Sequence, residues 1–449
     1  MSRPLVDAVR AGDPVAVQES LNESADPDTA GADGLPVLCT AVAAFDSVVA
    51  GALVDGGADP DRVLPDGTTP LWRAVDGGSP AVATAVLGRE PRLRLPEETR
   101  ERLLALATAW HETGVEEELR RRTGAQGPVE AVRLPDDAEG FHFTHQVSLG
   151  GLSVRDGHAG ILTALEWAFR ILTPVDELIT RATAVPEEDH ATWWEVLRVL
   201  LDRRSEETWS AVVAHRHHPA PAHRRFLADY LRVRGILADD SPYARREGDV
   251  LSAWAAEEAD PATLARVLRA LDEFDHPGRQ AAGLRHAAHP DVEVRRAVPA
   301  LFLPLGDDAR PAPRGRPTLR ALLRDPDAQV RLGACRTAVG DADLVREAVP
   351  RLLRLVEEAD PELHAAAAAL LASCPDRTAA VAGSLAALLE SGDPPTVLEA
   401  GYGLALRDDP RTVDAYHRIR SAGAVHEYDH RWDAIWQWSR DNGLITPVD

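Results

Sequence analysis

The 449-residue sequence contains no lysine, so all 49 of its basic residues are arginine. They are outnumbered by 72 acidic residues, which leaves a net charge of −23. A field of this sign repels the phosphate backbone of nucleic acids and the anionic surface of membranes, so we expect neither as a partner. The exclusive use of arginine indicates a GC-rich, bacterial genome and carries no functional information.

Cysteine is scarce as well. Only Cys39, Cys335 and Cys374 occur, and no two of them have the C-x-x-C spacing of a thiol metal site or a redox motif. Scattered thiols in odd number are typical of a reducing compartment, so we expect a cytoplasmic protein. No stretch approaches the roughly 18 apolar residues of a membrane span. The first 17 residues, interrupted by charges and prolines, do not resemble a signal peptide.

The common enzyme signatures are missing too. The sequence contains no nucleotide-binding loop, nucleophile elbow, kinase signature or dense metal-binding box. An enzyme that uses a common cofactor usually shows one of these motifs. We therefore expect no cofactor.

Two short motifs near the N-terminus repeat after 33 residues. ADPD at 25–28 returns at 58–61, and DG at 33–34 returns at 66–67. The stretch at 66–87, DGTTPLWRAVDGGSPAVATAVL, follows the pattern D-G-x-T-P-L-H-x-A, except that Trp72 replaces the usual His. With its period of 33, this segment resembles the ankyrin repeat. The resemblance covers about the first 125 residues, including a partial first copy and a degenerate fourth copy.

A second periodicity occurs in the C-terminal half. HPDVEVRRAV begins at 289, DPDAQVRLGA at 325, DPELHAAAAAL at 360 and DPPTVLEAGYGLAL at 393. Proline preceded by Asp or His is an N-terminal helix signal, and a second apolar helix follows each copy. These pairs resemble HEAT repeats. The resemblance implies that Arg295 and Arg331, at matching positions, pair with an Asp of the adjacent repeat.

The stretch from 126 to 157 fits neither periodicity. Its apolar residues alternate as in β-strands, and Gly150-Gly151 is a turn signal, so we expect a short hairpin. Helices should follow at about 158–172, 174–185 and 188–203, the first with Asp156 as a plausible N-cap. The sequence thus predicts an all-α fold, an α-solenoid of ankyrin-like and then HEAT-like repeats with a short strand-like insert. The predicted domains are 1–126, a junction at 127–187, and 188–449 with a C-terminal capping helix.

Repeat arrays present extended surfaces that suit protein or peptide partners. The leading hypothesis is therefore a scaffold that binds such a partner in its concave groove. The candidate binding residues are Asp33, Asp66, Arg73, Arg155, Asp156 and Trp167. On this hypothesis, the histidines of the insert are exposed and unpaired.

The alternative hypothesis is a cofactor-independent enzyme that performs acid–base elimination or hydrolysis on a small molecule, possibly in specialised metabolism. Such chemistry needs only a His and a carboxylate within hydrogen-bond reach, and it leaves no sequence motif. Its pocket is expected at the junction, where titratable residues are densest. The candidate catalytic residues are His142, His145, His158 and Glu166.

Two histidine-rich motifs suggest metal but lack a complete ligand set. HEYDH at 426–430 matches the H-E-x-x-H pattern of zinc peptidases, yet no His or Glu follows to supply a third ligand. We interpret this match as accidental. His215, His217, His218 and His223 cluster in a proline-containing loop that fixes no tetrahedral geometry. We therefore predict no metal site.

Overall fold

In the computed structural model, residues 3–237, 243–303, 313–358, 360–421 and 429–443 are described. The chain forms two compact units, Met1–Tyr230 and Leu231–Asp449. The described residues contain 26 α-helices and a single three-stranded sheet, so the predicted all-α repeat fold with a strand insert is confirmed. Both predicted domain boundaries, at 126 and 187, fall inside the first unit. That the type of repeat changes at these positions remains a prediction.

The first unit begins with three stacked helix pairs. These are α1 (Arg3–Ala11) and α2 (Pro14–Asn22), α3 (Val37–Ala43) and α4 (Ser47–Asp55), and α5 (Pro70–Gly77) and α6 (Pro80–Leu87). Helices of one pair pack on the matching helices of the next, as α2 does on α4 and α4 on α6. The side chains of Asp13, Asp46 and Ser79 cap the second helix of each pair, 33 residues apart. The period of 33 is thus a structural period.

One longer helix, α8, follows the three pairs. A single turn, α7 (Pro91–Arg94), leads to α8 (Glu97–Thr113) and α9 (Val115–Thr123), which are separated by Gly114. The glycine has φ +84°, a conformation that ends one helix and lets the next begin. Gly114 lies in the interhelical loop that the degenerate fourth copy predicted.

The insert forms an antiparallel sheet in the order β1 (Glu130–Pro135), β2 (Phe143–Leu149) and β3 (Leu152–Arg155). Gly150 and Gly151 both have positive φ, as a two-residue hairpin turn with matching twist requires. The turn sets the β2–β3 register, in which Leu149 faces Leu152 and Gln146 faces Arg155. The apolar face of the sheet packs on Trp110 and Leu119.

Helices resume after the sheet. They are α10 (His158–Ala168), α11 (Val175–Thr183), α12 (Ala191–Asp202), α13 (Glu206–Ala214) and α14 (Pro221–Leu237), with a 3-10 turn at His215–His217. The predicted helices at 158, 174 and 188 are found, each ending before its predicted end. The predicted cap is wrong: Gly157 is the N-cap of α10, because the carboxylate of Asp156 is bound by two histidines.

Every secondary-structure element described in the second unit is a helix or a 3-10 turn. Its helices are α15 (Ala244–Glu257), α16 (Pro261–Asp272), α17 (Gly278–His286), α18 (Val292–Ala297), α19 (Arg316–Leu322), α20 (Ala328–Ala338), α21 (Val345–Leu355), α22 (Pro361–Ser373), α23 (Ala379–Leu388), α24 (Pro394–Ala405), α25 (Thr412–Ser421) and α26 (His430–Asp441). Short 3-10 turns lie at Pro299–Phe302 and Pro313–Gly315. Alternate helices stack in register, from α16 on α18 through to α24 on α26.

The repeats of the second unit are linked by ion pairs. Arg295 forms two hydrogen bonds with Asp325 of the next repeat, at 2.8 and 3.2 Å, as the HEAT-like pattern predicted. Arg331, at the matching position, pairs with Glu358 and not with an Asp.

Two helix starts of the second unit also differ from expectation. In the copies at 289 and 325, the N-cap is the Asp after the proline, Asp291 or Asp327.

Candidate functional site

Two histidines converge on one carboxylate in the first unit. Asp156 follows β3, His145 lies on β2, and His190 is the residue before α12. Nδ1 of His145 lies 3.0 Å from Oδ2 of Asp156, and Nε2 of His190 lies 2.9 Å from Oδ1. The backbone N–H of His145 also donates to Oδ1, at 2.7 Å. The β2–β3 hairpin and the start of α12 are therefore joined at one carboxylate.

The hydrogen-bond pattern fixes where the protons of this cluster lie. The backbone N–H of Thr192 donates to Nδ1 of His190 at 3.1 Å, so Nδ1 carries a lone pair and Nε2 carries the proton. His190 therefore donates to Asp156. His145 donates through Nδ1, so the neutral form of this ring has its lone pair on Nε2. That imidazole is partly exposed, whereas His190 is buried.

Electrostatics keep Asp156 ionised. Burial alone would raise the pKa of its carboxyl group, but the hydrogen bonds from His190 and His145 outweigh burial. The net effect lowers the pKa below its usual value. An ionised Asp156 holds His145 in the tautomer that presents Nε2 as a base, which is the arrangement of a His–Asp catalytic dyad.

The same three side chains are a candidate ligand set for a divalent metal. Their donor atoms lie within 4.8 Å of one another, and two imidazoles with a carboxylate are a ligand combination that metals accept. The hydrogen bond from Thr192 to His190 argues against metal binding, because a metal at Nε2 would have to displace its proton while Nδ1 still accepts a hydrogen bond. The geometry fits a proton-carrying cluster better than a metal site. The predicted lack of a metal remains a prediction.

The other predicted catalytic residues are elsewhere. Nδ1 of His142 pairs with Asp137 at 2.7 Å, and Glu166 accepts hydrogen bonds from Arg181 at 2.6 and 3.0 Å. His158 packs on Trp110. The expectation that His142, His145 and His158 are exposed and unpaired is wrong, because the rings of His145 and His158 have hydrogen-bond partners and the ring of His142 lies against the carboxylate of Asp137.

His158 belongs to the buried contact between α10 and the repeats. Its ring stacks on Trp110 at 4.5 Å between centroids, and its Nε2 lies 3.2 Å from the carbonyl oxygen of Asp76. Burial lowers the pKa of His158 to about 4, so the ring is neutral at pH 7. It is a structural residue of this contact.

Arg155, predicted to bind a partner, lies in the same buried region. Its guanidinium covers the ring of Phe45 at 4.8 Å and donates to Oγ1 of Thr144 at 3.3 Å. Neighbouring Asp136 is also buried and accepts hydrogen bonds from Ser79 and from the backbone N–H of Ala81, at 2.7 and 2.9 Å. Asp136 thus joins the sheet to the third helix pair, and Arg155 joins it to Phe45 of the second. Arg155 is buried in this contact, which removes it from any partner surface.

The predicted binding residues of the repeats lie in turns. Asp33 accepts from the N–H of Leu35, and Asp66 accepts from the N–H of Thr68, each at 3.0 Å. Arg73 closes the second turn, 2.8 Å from Asp66. Hydrogen bonds from Thr68, together with Arg73, lower the pKa of Asp66 to about 2.

Trp167 borders a surface groove instead of the histidine cluster. The guanidinium carbons of Arg170 and Arg203 lie 5.6 and 6.0 Å from the centre of its ring.

The two metal-like motifs do not form ligand sets in the described structure. His426 and Glu427 of HEYDH lie outside the described residues, while Asp429 is the extended N-cap of α26, which begins at His430. The rings of His218 and His223 stack 3.8 Å apart and nearly parallel, at 13°. Ring nitrogens bind metals in the plane of the ring, so this stacked pair does not converge on one ion.

Sequence reasoning missed His190. Its position before an apolar helix is a cap signal, but no spacing rule indicates that it meets His145, 45 residues earlier. The sequence predicts Asp156 only as a partner-binding residue, and does not indicate that two histidines bind its carboxylate. The facing of His145 and Asp156 follows from the Gly150-Gly151 turn.

Comparison with known proteins identifies no family. No protein-family model matches the sequence, and no curated protein matches it. Among solved structures, Escherichia coli YibA is similar over 61% of this chain and 92% of its own, with 14% identity and a TM-score of 0.42. Human deoxyhypusine hydroxylase matches 60% of this chain and 96% of its own, with 17% identity and a TM-score of 0.25. Kap121p matches 99% of this chain and 50% of its own, with 13% identity and a TM-score of 0.39. These likenesses assign no activity to the chain.

No helix among the described residues is both long and apolar enough to cross a membrane.

Proposed function

We propose that the chain is a repeat scaffold that binds a protein or peptide partner through the loops of its N-terminal, ankyrin-like repeats. The observation that carries this proposal is the duplicated turn at 33-residue spacing. In the first copy, Gly31 donates to the carbonyl of Leu35 at 2.7 Å, and in the second Leu64 donates to Thr68 at 2.8 Å. These turns are held by their own hydrogen bonds, so their outer side chains are preorganised for a partner.

Exposed apolar side chains lie beside the second turn. Val63 and Leu93 are 73% and 79% exposed. An ion pair between Arg94 and Asp61 holds the loop of Val63 to the short helix of Leu93. A partner that covers both side chains would remove apolar area from water, which favours binding. The net charge of −23 favours a basic partner.

Site-specific photo-crosslinking tests this function. A benzophenone amino acid at Val63 or Leu93, introduced in the source cells, is expected to give the same discrete protein adduct. Val15, 67% exposed on α2, is the matched control position and should give none. The double variant Val63→Asp and Leu93→Asp should weaken binding of the captured protein at least about tenfold. Equal adducts at Val15, or none at any position, would contradict the proposal.

A second function, acid–base catalysis, is favoured by the His145–Asp156 dyad. The probe is hydrolysis of p-nitrophenyl acetate, which an imidazole with a free lone pair promotes. His145→Ala and Asp156→Asn should both lower this rate, since the first removes the base and the second its orienting carboxylate. His142→Ala is the matched control, because His142 pairs with Asp137 in a local loop. Equal rates in the wild type and both dyad variants would remove this function from consideration.

A further inference from the structure

A groove of about 520 Å³ in the first unit combines an apolar wall with an unpaired cation. Trp167, Leu172 and Pro174 contribute to the wall, and Arg203 lies on the lining with Ser205. The volume is within the range of small-molecule sites, roughly 300–1,000 Å³. We call this surface the Trp167 groove.

Arg203 is the distinctive polar group of this groove. Its Nε is buried without a hydrogen-bond partner, and within the described chain its guanidinium forms neither a hydrogen bond nor an ion pair. The nearby acid is already engaged, because Glu166 accepts hydrogen bonds from Arg181 and from Thr173 at 2.6 and 2.7 Å. A partly buried guanidinium without a partner is incompletely compensated for its lost water, and an anion in the groove that bonds to its accessible nitrogens would compensate it.

Two carboxylates also line the groove. Their exposure to water decides how strongly they would repel an anionic ligand. Asp176 is 87% exposed and already accepts a hydrogen bond from His215, and Glu207 is exposed. Charges in contact with water are strongly screened, whereas Arg203 is partly withdrawn from it. A cationic ligand would also be opposed by Arg170 and Arg203 beside Trp167. The groove therefore favours an anion.

We propose that the Trp167 groove binds a small apolar carboxylate, with the carboxylate on Arg203 and the apolar body on Trp167 and Leu172. Arg203 matches a planar carboxylate because its nitrogens can donate two parallel hydrogen bonds. Leu172 is 72% exposed, so a ligand covering it gains hydrophobic burial. The site is separate from the repeat turns and does not depend on the partner-binding proposal.

A carboxylate beside an apolar body occurs both in free organic acids and at the C-terminal residue of a peptide. The experiment is titration calorimetry of the full chain with 3-phenylpropanoate and with its amide. The acid should bind saturably, and the amide at least about tenfold more weakly, because the amide loses the charge-assisted contact. Acetyl-Gly-Gly-Phe with a free C-terminus, binding more tightly than 3-phenylpropanoate, would assign the site to peptide ends. Weaker binding of the peptide would assign it to free acids.

Matched arginine variants locate the binding. Arg203→Gln should weaken binding of the acid at least about tenfold, and Arg203→Lys less, since lysine retains charge without the fork. Arg204→Gln should leave binding unchanged, because Arg204 is exposed and not part of the groove lining. Circular dichroism confirms that each variant is folded. Equal binding of acid and amide, an unaffected Arg203→Gln variant, or no saturation by about 10 mM acid would overturn the proposal.

Discussion

The two units differ in the balance of contacts that link their successive repeats. In the first unit, close backbone contacts and single hydrogen bonds, such as that from the N–H of Asp59 to Asp28 of the preceding repeat at 3.0 Å, act beside a few ion pairs such as Arg94–Asp61. In the second unit, arginines of one repeat bind carboxylates of the next, as Arg296 does with Asp327 at 2.7 and 3.0 Å. Asp327 also caps its own helix, so one carboxylate serves both the fold of a repeat and its link.

This difference predicts how each unit should respond to added atoms and to salt. Close backbone contacts are insensitive to salt but intolerant of any added atom. Arginine–carboxylate links tolerate changes in shape but weaken as salt screens the charges. The predictions below contrast the two kinds of link, from the largest expected effect to the smallest.

Gly78 offers the sharpest test of the backbone contacts. It has φ +81°, and a Cβ added there would lie 2.0 Å from the carbonyl oxygen of Arg155. Gly78→Ala should destabilise the first unit by about 4 kcal/mol or more, because a backbone atom cannot move aside. Gly67→Ala is the control: Gly67 has φ +82°, but no atom of the described residues lies within 4 Å of an added Cβ, so the change should cost about 1 kcal/mol. Urea unfolding of both variants measures the difference, and equal costs would refute the contact.

His158 predicts a pH dependence of the first unit. Burial lowers its pKa to about 4 in the folded chain, against about 6.5 when unfolded. Between these values only the unfolded chain binds the proton, so stability falls as pH is lowered from about 6.5 to 4. The shift corresponds to about 3 kcal/mol. His158→Gln should lose this part of the pH dependence, which urea unfolding at pH 7 and 4.5 would reveal. An unchanged slope would show that His158 titrates normally.

An ion pair of the second unit should have a smaller effect. Arg295 and Asp325 are largely buried, so Arg295→Gln should cost about 2 kcal/mol by leaving the carboxylate poorly compensated. Arg102→Gln breaks a pair with Glu98 in which both side chains are more than 70% exposed, and it should change stability by less than about 0.5 kcal/mol. Chemical unfolding at low and high salt tests both. If Arg295→Gln costs no more than Arg102→Gln, the Arg295–Asp325 pair does not stabilise the second unit.

Local periodicity was enough to predict most of the fold. The 33-residue spacing located the helix pairs, because the same glycines and caps recur where the chain must turn. The hairpin followed from Gly150-Gly151, and that turn places His145 opposite Asp156. These features depend on short stretches whose physics is contained in the residues themselves.

The rest depends on contacts between distant segments. His190 reaches Asp156 only because α12 packs on α10, and no local pattern encodes that packing. His158 was expected at the surface, yet it is buried because Trp110, 48 residues earlier, offers a ring to stack on. Arg203 likewise lacks a partner because the neighbouring Glu166 binds Arg181, a pairing that no local pattern encodes. Titratable residues could be found from sequence, but their partners could not.

Calorimetry of the full chain tests most directly whether the protein consists of two units stabilised by contacts between neighbouring repeats. Such an array should unfold over more than one step, so the van't Hoff enthalpy should be smaller than the calorimetric enthalpy. Gly78→Ala should then shift only the part of the transition that belongs to Met1–Tyr230. A single transition with equal enthalpies, displaced as a whole by Gly78→Ala, would contradict the account.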